Sequence, residues 1–158
     1  MPPGGTAKSF LAEMAMDLNG TVNDGGFNAI NNFIRRKTGP PATGEIIHID
    51  IMGPDNGGVI LAELTTEYFV FETVTTPEDG THPENGSAEF GFERVGGRVR
   101  FYTRGVSRPG NLAIRLVGAL PQMIGWTRLC RGLSDTIARR GGTPGLDSFV
   151  SFKQNRDF

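Results

Sequence analysis

Residues 88–109 constrain this chain more than any other stretch, because they read as a β-hairpin with a two-residue loop that runs into Ser107-Arg108-Pro109. Gly96-Gly97 is the loop, since glycine tolerates the positive φ angles that such a turn requires. That choice pairs Val95 with Arg98, Glu93 with Arg100, Phe92 with Phe101 and Glu89 with Arg104. Period-two alternation then puts Phe90, Phe92, Val99, Phe101 and Thr103 on one face, and Glu89, Glu93, Arg98, Arg100 and Arg104 on the other. One face is core and the other wet, and a one-residue slip would turn the arginines inward. The Glu–Arg pairs mark the register; as solvated pairs each contributes at most about 1 kcal/mol.

The rest of the chain supplies helices at both ends of a sheet. Phe10, Leu11, Met14 and Leu18 recur at helical spacing over 7–18, and Phe27, Ile30, Phe33 and Ile34 over 27–36, so two short N-terminal helices are predicted. From Glu45, Ile47, Ile49 and Ile51 alternate with His48 and Asp50, the pattern of a half-buried strand ending at Gly53-Pro54-Asp55-Asn56-Gly57. Residues 59–64 and 67–75 read as two more strands, the second with Phe69, Phe71 and Thr73 opposed to Tyr68, Val70, Glu72 and Val74. Beyond Pro109, apolar residues from Leu112 to Ile137 keep helical spacing across Pro121, as one kinked helix or two. Arg139-Arg140-Gly141-Gly142 ends it, and residues 146–152 read as a short strand.

Local hairpins between terminal helices give the α+β class, with an antiparallel sheet of about five to six strands whose inner face the long C-terminal helix covers. A chain of 158 residues is expected to form a single domain, 1–158, with 1–6 and 153–158 as loose ends. Sixteen Lys and Arg against seventeen acids leave a net charge of −1, so neither nucleic acid nor a membrane surface is an expected partner. No apolar run resembles a signal peptide or a span, which makes a cytoplasmic location the expectation. The one cysteine, Cys130, has apolar neighbours and reads as a buried thiol, and two histidines with one cysteine make no zinc pattern. Gly141-Gly142-Thr143-Pro144-Gly145 lacks the lysine and following helix of a phosphate loop, and there is neither a dinucleotide fingerprint nor a nucleophile elbow. No cofactor is expected.

The order of elements resembles the helix-grip architecture of START-like and pollen-allergen-like proteins. That resemblance implies a curved sheet wrapped on the last helix, around a cavity for an apolar ligand. His82-Pro83-Glu84-x-Gly86, Val99-x-Phe101, Ser107-Arg108-Pro109 and Arg115-Leu116-x-Gly118 also resemble, in this order, a family of bacterial and plant proteins without an assigned activity. The likeness runs from about Gly44 to about Ala138 and implies fold rather than activity. The family often carries an acid directly after the glycine of its first motif, where this chain has Ser87.

Four residues are candidates for acid–base or anion chemistry. His82 and Glu84 flank a proline, as a base and its orienter or as a solvated, capped turn. Glu72 is either a desolvated acid with a raised pKa or an outer-face carboxylate beside an arginine. Arg108 could hold a carboxylate or phosphate with Ser107 and helix N–H groups, or serve as structure at a helix start. His48 and Asp50 share a strand face, outer unless the sheet is covered on both sides. Tyr68, Phe69, Phe71, Tyr102, Met123 and Trp126 are candidate lining for an apolar ligand, or plain core. Three functions follow: an apolar-ligand enzyme performing cofactor-independent cyclisation, isomerisation or dehydration; a non-catalytic carrier or sensor using the same cavity; or a homodimeric interaction domain with a filled core.

Overall fold

The computed structural model describes residues 1–52, 56–109 and 120–145. Its sheet is an antiparallel meander in strict sequence order: β1 (Asn31–Ile34), β2 (Ile46–Ile51), β3 (Asn56–Leu64), β4 (Tyr68–Val74), β5 (Glu84–Val95) and β6 (Arg98–Pro109). Three short helices, α1 (Ala7–Met16), α2 (Leu18–Val22) and α3 (Gly25–Ile30), precede it, and α4 (Leu120–Arg139) follows. The curved sheet wraps on this last helix, which is the expected α+β, helix-grip-like arrangement.

The hairpin has the register that its charges and aromatics demand. Val95 faces Arg98, Glu93 faces Arg100, Phe92 faces Phe101 and Glu89 faces Arg104. Gly96 and Gly97 turn the chain at φ +57° and +77°, both left-handed. The two ion pairs close at 3.2 Å (Arg100–Glu93) and 2.9 Å (Arg104–Glu89) on the wet side.

The N-terminal helices are short because each is stopped by its own polar residues. Thr6 and Ser9 form a reciprocal capping box that starts α1. Asp17 ends α1 and caps α2, accepting from Gly20 N at 2.9 Å. Asn23, at φ +48°, ends α2, and Asp24 caps α3 through Phe27 N at 2.7 Å.

The helix predicted over 27–36 is half right. It ends at Ile30, and the chain becomes strand β1, with Phe33 opposite Ile49 and Ile34 opposite His48. Four apolar residues fit both periods over so short a window, and Asn31-Asn32 are poor helix formers. Pairing with β2 satisfies more backbone than one extra helical turn would. Asn19 covers the far edge of β1: its side-chain amide donates to Phe33 O (3.0 Å) and accepts from Phe33 N (3.2 Å), as a further strand would.

The core lies between the inner sheet face and the helices. Ile47, Ile49, Val59, Leu61, Phe69, Phe71 and Phe90 point into it, and Phe10, Leu11, Met14, Leu129 and Leu133 meet them from the helices. Phe90 is its hub, 5.0 Å from Phe69, 5.7 Å from Phe71 and 5.9 Å from Trp126 between ring centroids. α4 crosses α2 closely at Gly132, where a Cβ would stand 2.5 Å from Val22 O. Pro121 lies within the described stretch of α4. At the other end Gly141, at φ +81°, donates to Ala138 O and Gly142 donates to Ile137 O, so the glycines terminate α4 as expected. Residues 112–119 of the predicted helix, the Arg115-Leu116-x-Gly118 motif and the strand predicted at 146–152 lie outside the described residues. Among the described residues no helix is long and apolar enough to cross a membrane.

Candidate functional site

A groove of about 500 Å³, open on one side, enters the molecule between the C-terminal end of α1, the start of α2 and strand β1 with its following loop. Its floor is Met14, Leu18, Phe33, Ile47 and Phe71, side chains that also belong to the core. Its rim sets Asp17, Arg35, Lys37 and Thr38 beside the exposed apolar side chains of Met16 and Ile34. Met14 and Ile47 (2 % exposed) and Leu18 and Phe71 (4 % exposed) are already packed in the core, so the groove is a half-open surface depression and not an enclosed cavity.

One side chain braces the groove wall. Arg35 grips Glu45 with two parallel bonds, Nε to Oε1 at 2.8 Å and Nη2 to Oε2 at 2.9 Å, and donates to Met16 O and Gly39 O at 3.2 Å each. It thereby joins the end of α1, the loop after β1 and the approach to β2. Glu45 is buried, with 2 % of its side chain exposed. Its carboxyl is held below the usual carboxylate range, first by the hydrogen bonds from Arg35, against the upward push of burial.

A second polar cluster lies on the opposite side of the sheet. The β4–β5 loop straddles Gly57-Gly58 at the start of β3: the His82 ring packs on Gly57, and the Thr76 methyl packs on Gly58. On the outer face His48 Nδ1 lies 2.6 Å from Asp79 Oδ2, which also accepts the Thr76 hydroxyl at 2.8 Å. Burial pushes the Asp79 carboxyl up, but the bonds from Thr76 and His48 outweigh it and hold the group below its ordinary value. Glu78, 3.6 Å from His48 Nε2, is bound in turn by Arg36 at 2.5 Å. The partner of His48 is therefore Asp79, and Asp50 on the same strand face is exposed. The cluster fastens a loop to β2.

A Cβ on Gly57 would sit 2.3 Å from His82 Cδ2, an aromatic edge that cannot fold away. Gly57→Ala is expected to lower stability by about 2 kcal/mol in thermal or urea unfolding. Adding His82→Ala removes the obstructing ring, so the double variant is expected to be more stable than Gly57→Ala alone.

The candidate acid–base residues are dispersed. Glu72 is exposed on the outer face, where it pairs in register with Ser87. The His82 ring meets Glu84 through the backbone: Nδ1 lies 3.0 Å from Glu84 N and 2.7 Å from Glu84 O, so either tautomer finds a partner in the turn. Burial lowers the His82 pKa and favours the neutral ring. Arg108 stands opposite Asn85 near the end of β6, exposed.

The expected apolar lining divides between two faces. Phe69, Phe71 and Trp126 are inside, while Tyr68 and Tyr102 flank Gly91 on the outer face and donate to Glu63 and Glu89 at 2.6 Å. Burial and the Glu89 bond push the Tyr102 hydroxyl up to about 12, so it remains a donor at any ordinary pH. The six residues therefore do not form one lining. Of the five with described side chains only Phe71 lines the groove, and Met123 lies in α4 with its side chain outside the described residues.

Sequence reading missed Arg35, Lys37, Glu45 and Asp79. Arg35 and Glu45 are ten residues apart on segments that meet only once β1 pairs with β2, and no local spacing announces that meeting. Cys130 is half-buried, with burial pushing its thiol up, as an inert structural cysteine requires. Among the described residues no group of three or more His, Cys, Asp and Glu side chains is arranged to hold a metal ion.

No protein-family model matches the chain, and no match is found among the curated proteins or the solved structures. The helix-grip-like likeness rests on the architecture itself, and the motif likeness has no family match beside it.

Proposed function

We propose that the chain is a non-catalytic binding domain that carries or senses an apolar small molecule, held in the groove between α1, α2 and β1. The observation that carries this reading is the groove: an opening whose floor is core side chains and whose rim mixes polar groups with exposed Met16 and Ile34. The groups considered for acid–base work support binding over turnover, because Glu72, His82, Glu84 and Arg108 are not among the groove's residues. Catalysis needs such groups within hydrogen-bond reach of one substrate.

Native mass spectrometry of protein purified from its own host, followed by denaturation and identification of what is released, tests the reading. A stoichiometric apolar molecule, lost when the exposed rim residue Met16 is replaced by Trp, is the expected result. Conversion of that molecule on incubation would make the protein an enzyme and overturn the carrier reading. An empty protein that runs as a stable dimer would replace it with the interaction-domain reading. One observation favours that alternative: Ile34 and Ile46, 41 % and 45 % exposed, lie on the outer face beside His48.

A further inference from the structure

We infer that the β4–β5 loop is a proton-dependent strap, held most firmly to the outer face of the sheet while His48 carries a proton and slackened when that proton is lost. The strap is the turn from Thr76 to Gly80. Its ends bond to each other, Thr76 N to Gly80 O at 3.1 Å and Gly80 N to Thr76 O at 2.9 Å, so the turn moves as one piece. Asp79 N donates to Thr76 Oγ1 at 2.9 Å and stiffens it further.

His48, on β2, meets this turn with both of its ring nitrogens. Nδ1 lies 2.6 Å from Asp79 Oδ2, and Nε2 lies 3.6 Å from Glu78 Oε2. A neutral imidazole has one N–H and one lone pair, so either tautomer turns a lone pair toward a carboxylate. The imidazolium donates from both nitrogens and faces both carboxylates with opposite charge. Only 14 % of the His48 side chain and 10 % of the Asp79 side chain are exposed, so solvent screens their contact less than that of a surface pair. Histidine is the side chain whose charge changes between about pH 5 and pH 8. The Asp79 carboxyl, held below its ordinary value, remains ionised across that interval.

The other groups facing the ring leave this preference standing. Arg36 binds Glu78 at 2.5 Å and offsets that carboxylate; it also attracts Asp79, without a salt bridge to it. Among the described residues the salt-bridge partner of Asp79 is His48 alone. Asp50, on the same strand face, adds an exposed negative charge. On the flanking strands the residues opposite His48 are Ile34 and Gly58, and neither is charged. The other side of the loop responds in the opposite sense. The His82 ring lies on Gly57 with Nδ1 engaged by the Glu84 backbone, and burial favours its neutral form. A proton weakens the hold at His82 and strengthens it at His48, so a fall in pH moves the grip on the loop from Gly57 toward β2.

Amide exchange of the full chain at about pH 5.5 and about pH 8.5 tests the strap, read at Thr76, Asp79 and Gly80 and corrected for the intrinsic pH dependence of exchange. Protection there is expected to be about tenfold greater at the lower pH, the scale of one charge-assisted hydrogen bond. In His48→Gln, which keeps a donor without a titrating ring, protection is expected to be the same at both pH values. Glu78 is 54 % exposed, so Glu78→Gln spares the fold and is expected to reduce the difference to about threefold. In His82→Gln the opposing response is gone, and the difference is expected to grow.

Equal protection at the two pH values in the parent protein would overturn the strap, as would a difference that survives His48→Gln or one that vanishes in His82→Gln. An undiminished difference in Glu78→Gln would overturn the role given to the second ring nitrogen, and the two-carboxylate geometry with it.

Discussion

Phe90→Ala is expected to lower stability by about 4 kcal/mol, the scale of deleting a fully buried aromatic ring. Phe90 is 1 % exposed and meets Phe69, Phe71 and Trp126, so its removal opens a void bounded by side chains from β4, β5 and α4. Those walls belong to separate elements locked by backbone pairing, and the void can collapse only partly. A loss of this size corresponds to a melting temperature about 10 °C lower for a chain of this length. Trp126 is the only tryptophan and lies against the deleted ring, so urea unfolding followed by its fluorescence reads the change directly. Phe92→Ala, at a half-buried position farther along the same face, is expected to cost less. Similar losses for the two variants would mean that Phe90 is not the hub.

The same position shows why much of the fold was legible. Phe90 is placed by a local rule, because a glycine pair fixes the turn, the turn fixes the register, and the register fixes the face of every residue on both strands. β2, β4, β5 and β6 were visible from their own alternation and β3 from its nearly continuous apolar run, whereas β1 was not visible. The error at 27–36 has the same origin: over a few residues Phe33 and Ile34 satisfy a helix as well as a strand, and only the distant β2 decides.

The candidate site was less legible because it is assembled from contacts that have no sequence period. Met14, Leu18, Phe33 and Ile47 were each recognisable as apolar positions facing a core, but that they leave a groove depends on how α1 and α2 turn at Asp17. Tyr68 and Tyr102 illustrate the converse. Their aromatic character suggested an interior, whereas strand alternation carries them to the face of Glu72 and Glu89, where each hydroxyl finds a carboxylate.

Glu45→Gln is expected to lower stability by about 3 kcal/mol, because it leaves the Arg35 guanidinium in a half-closed site without its counter-charge. The loss belongs to breaking the pair rather than to the pair's net worth. Arg35→Met with Glu45→Leu removes both charges and is expected to be far closer to the parent protein than either single change, which a double-mutant cycle measures. The acid limb of stability gives an independent reading. Arg35 holds the Glu45 carboxyl below its unfolded value, so the folded chain binds fewer protons than the unfolded one as the pH falls through that interval. The contribution of the pair is full above the ordinary glutamate pKa of about 4.3 and is lost as the pH falls through the lowered native value. Urea unfolding between pH 7 and pH 3 is expected to show a shallower acid decline in Glu45→Gln than in the parent protein, with the Asp79 contribution, which has the same sign, remaining in both. Because Arg35 also ties Met16 O to Gly39 O, the substitution frees the groove wall, and faster backbone amide exchange over residues 35–39 is expected to accompany the lost stability. A variant that loses stability with unchanged exchange there would show that the Arg35 brace holds the fold without shaping the groove.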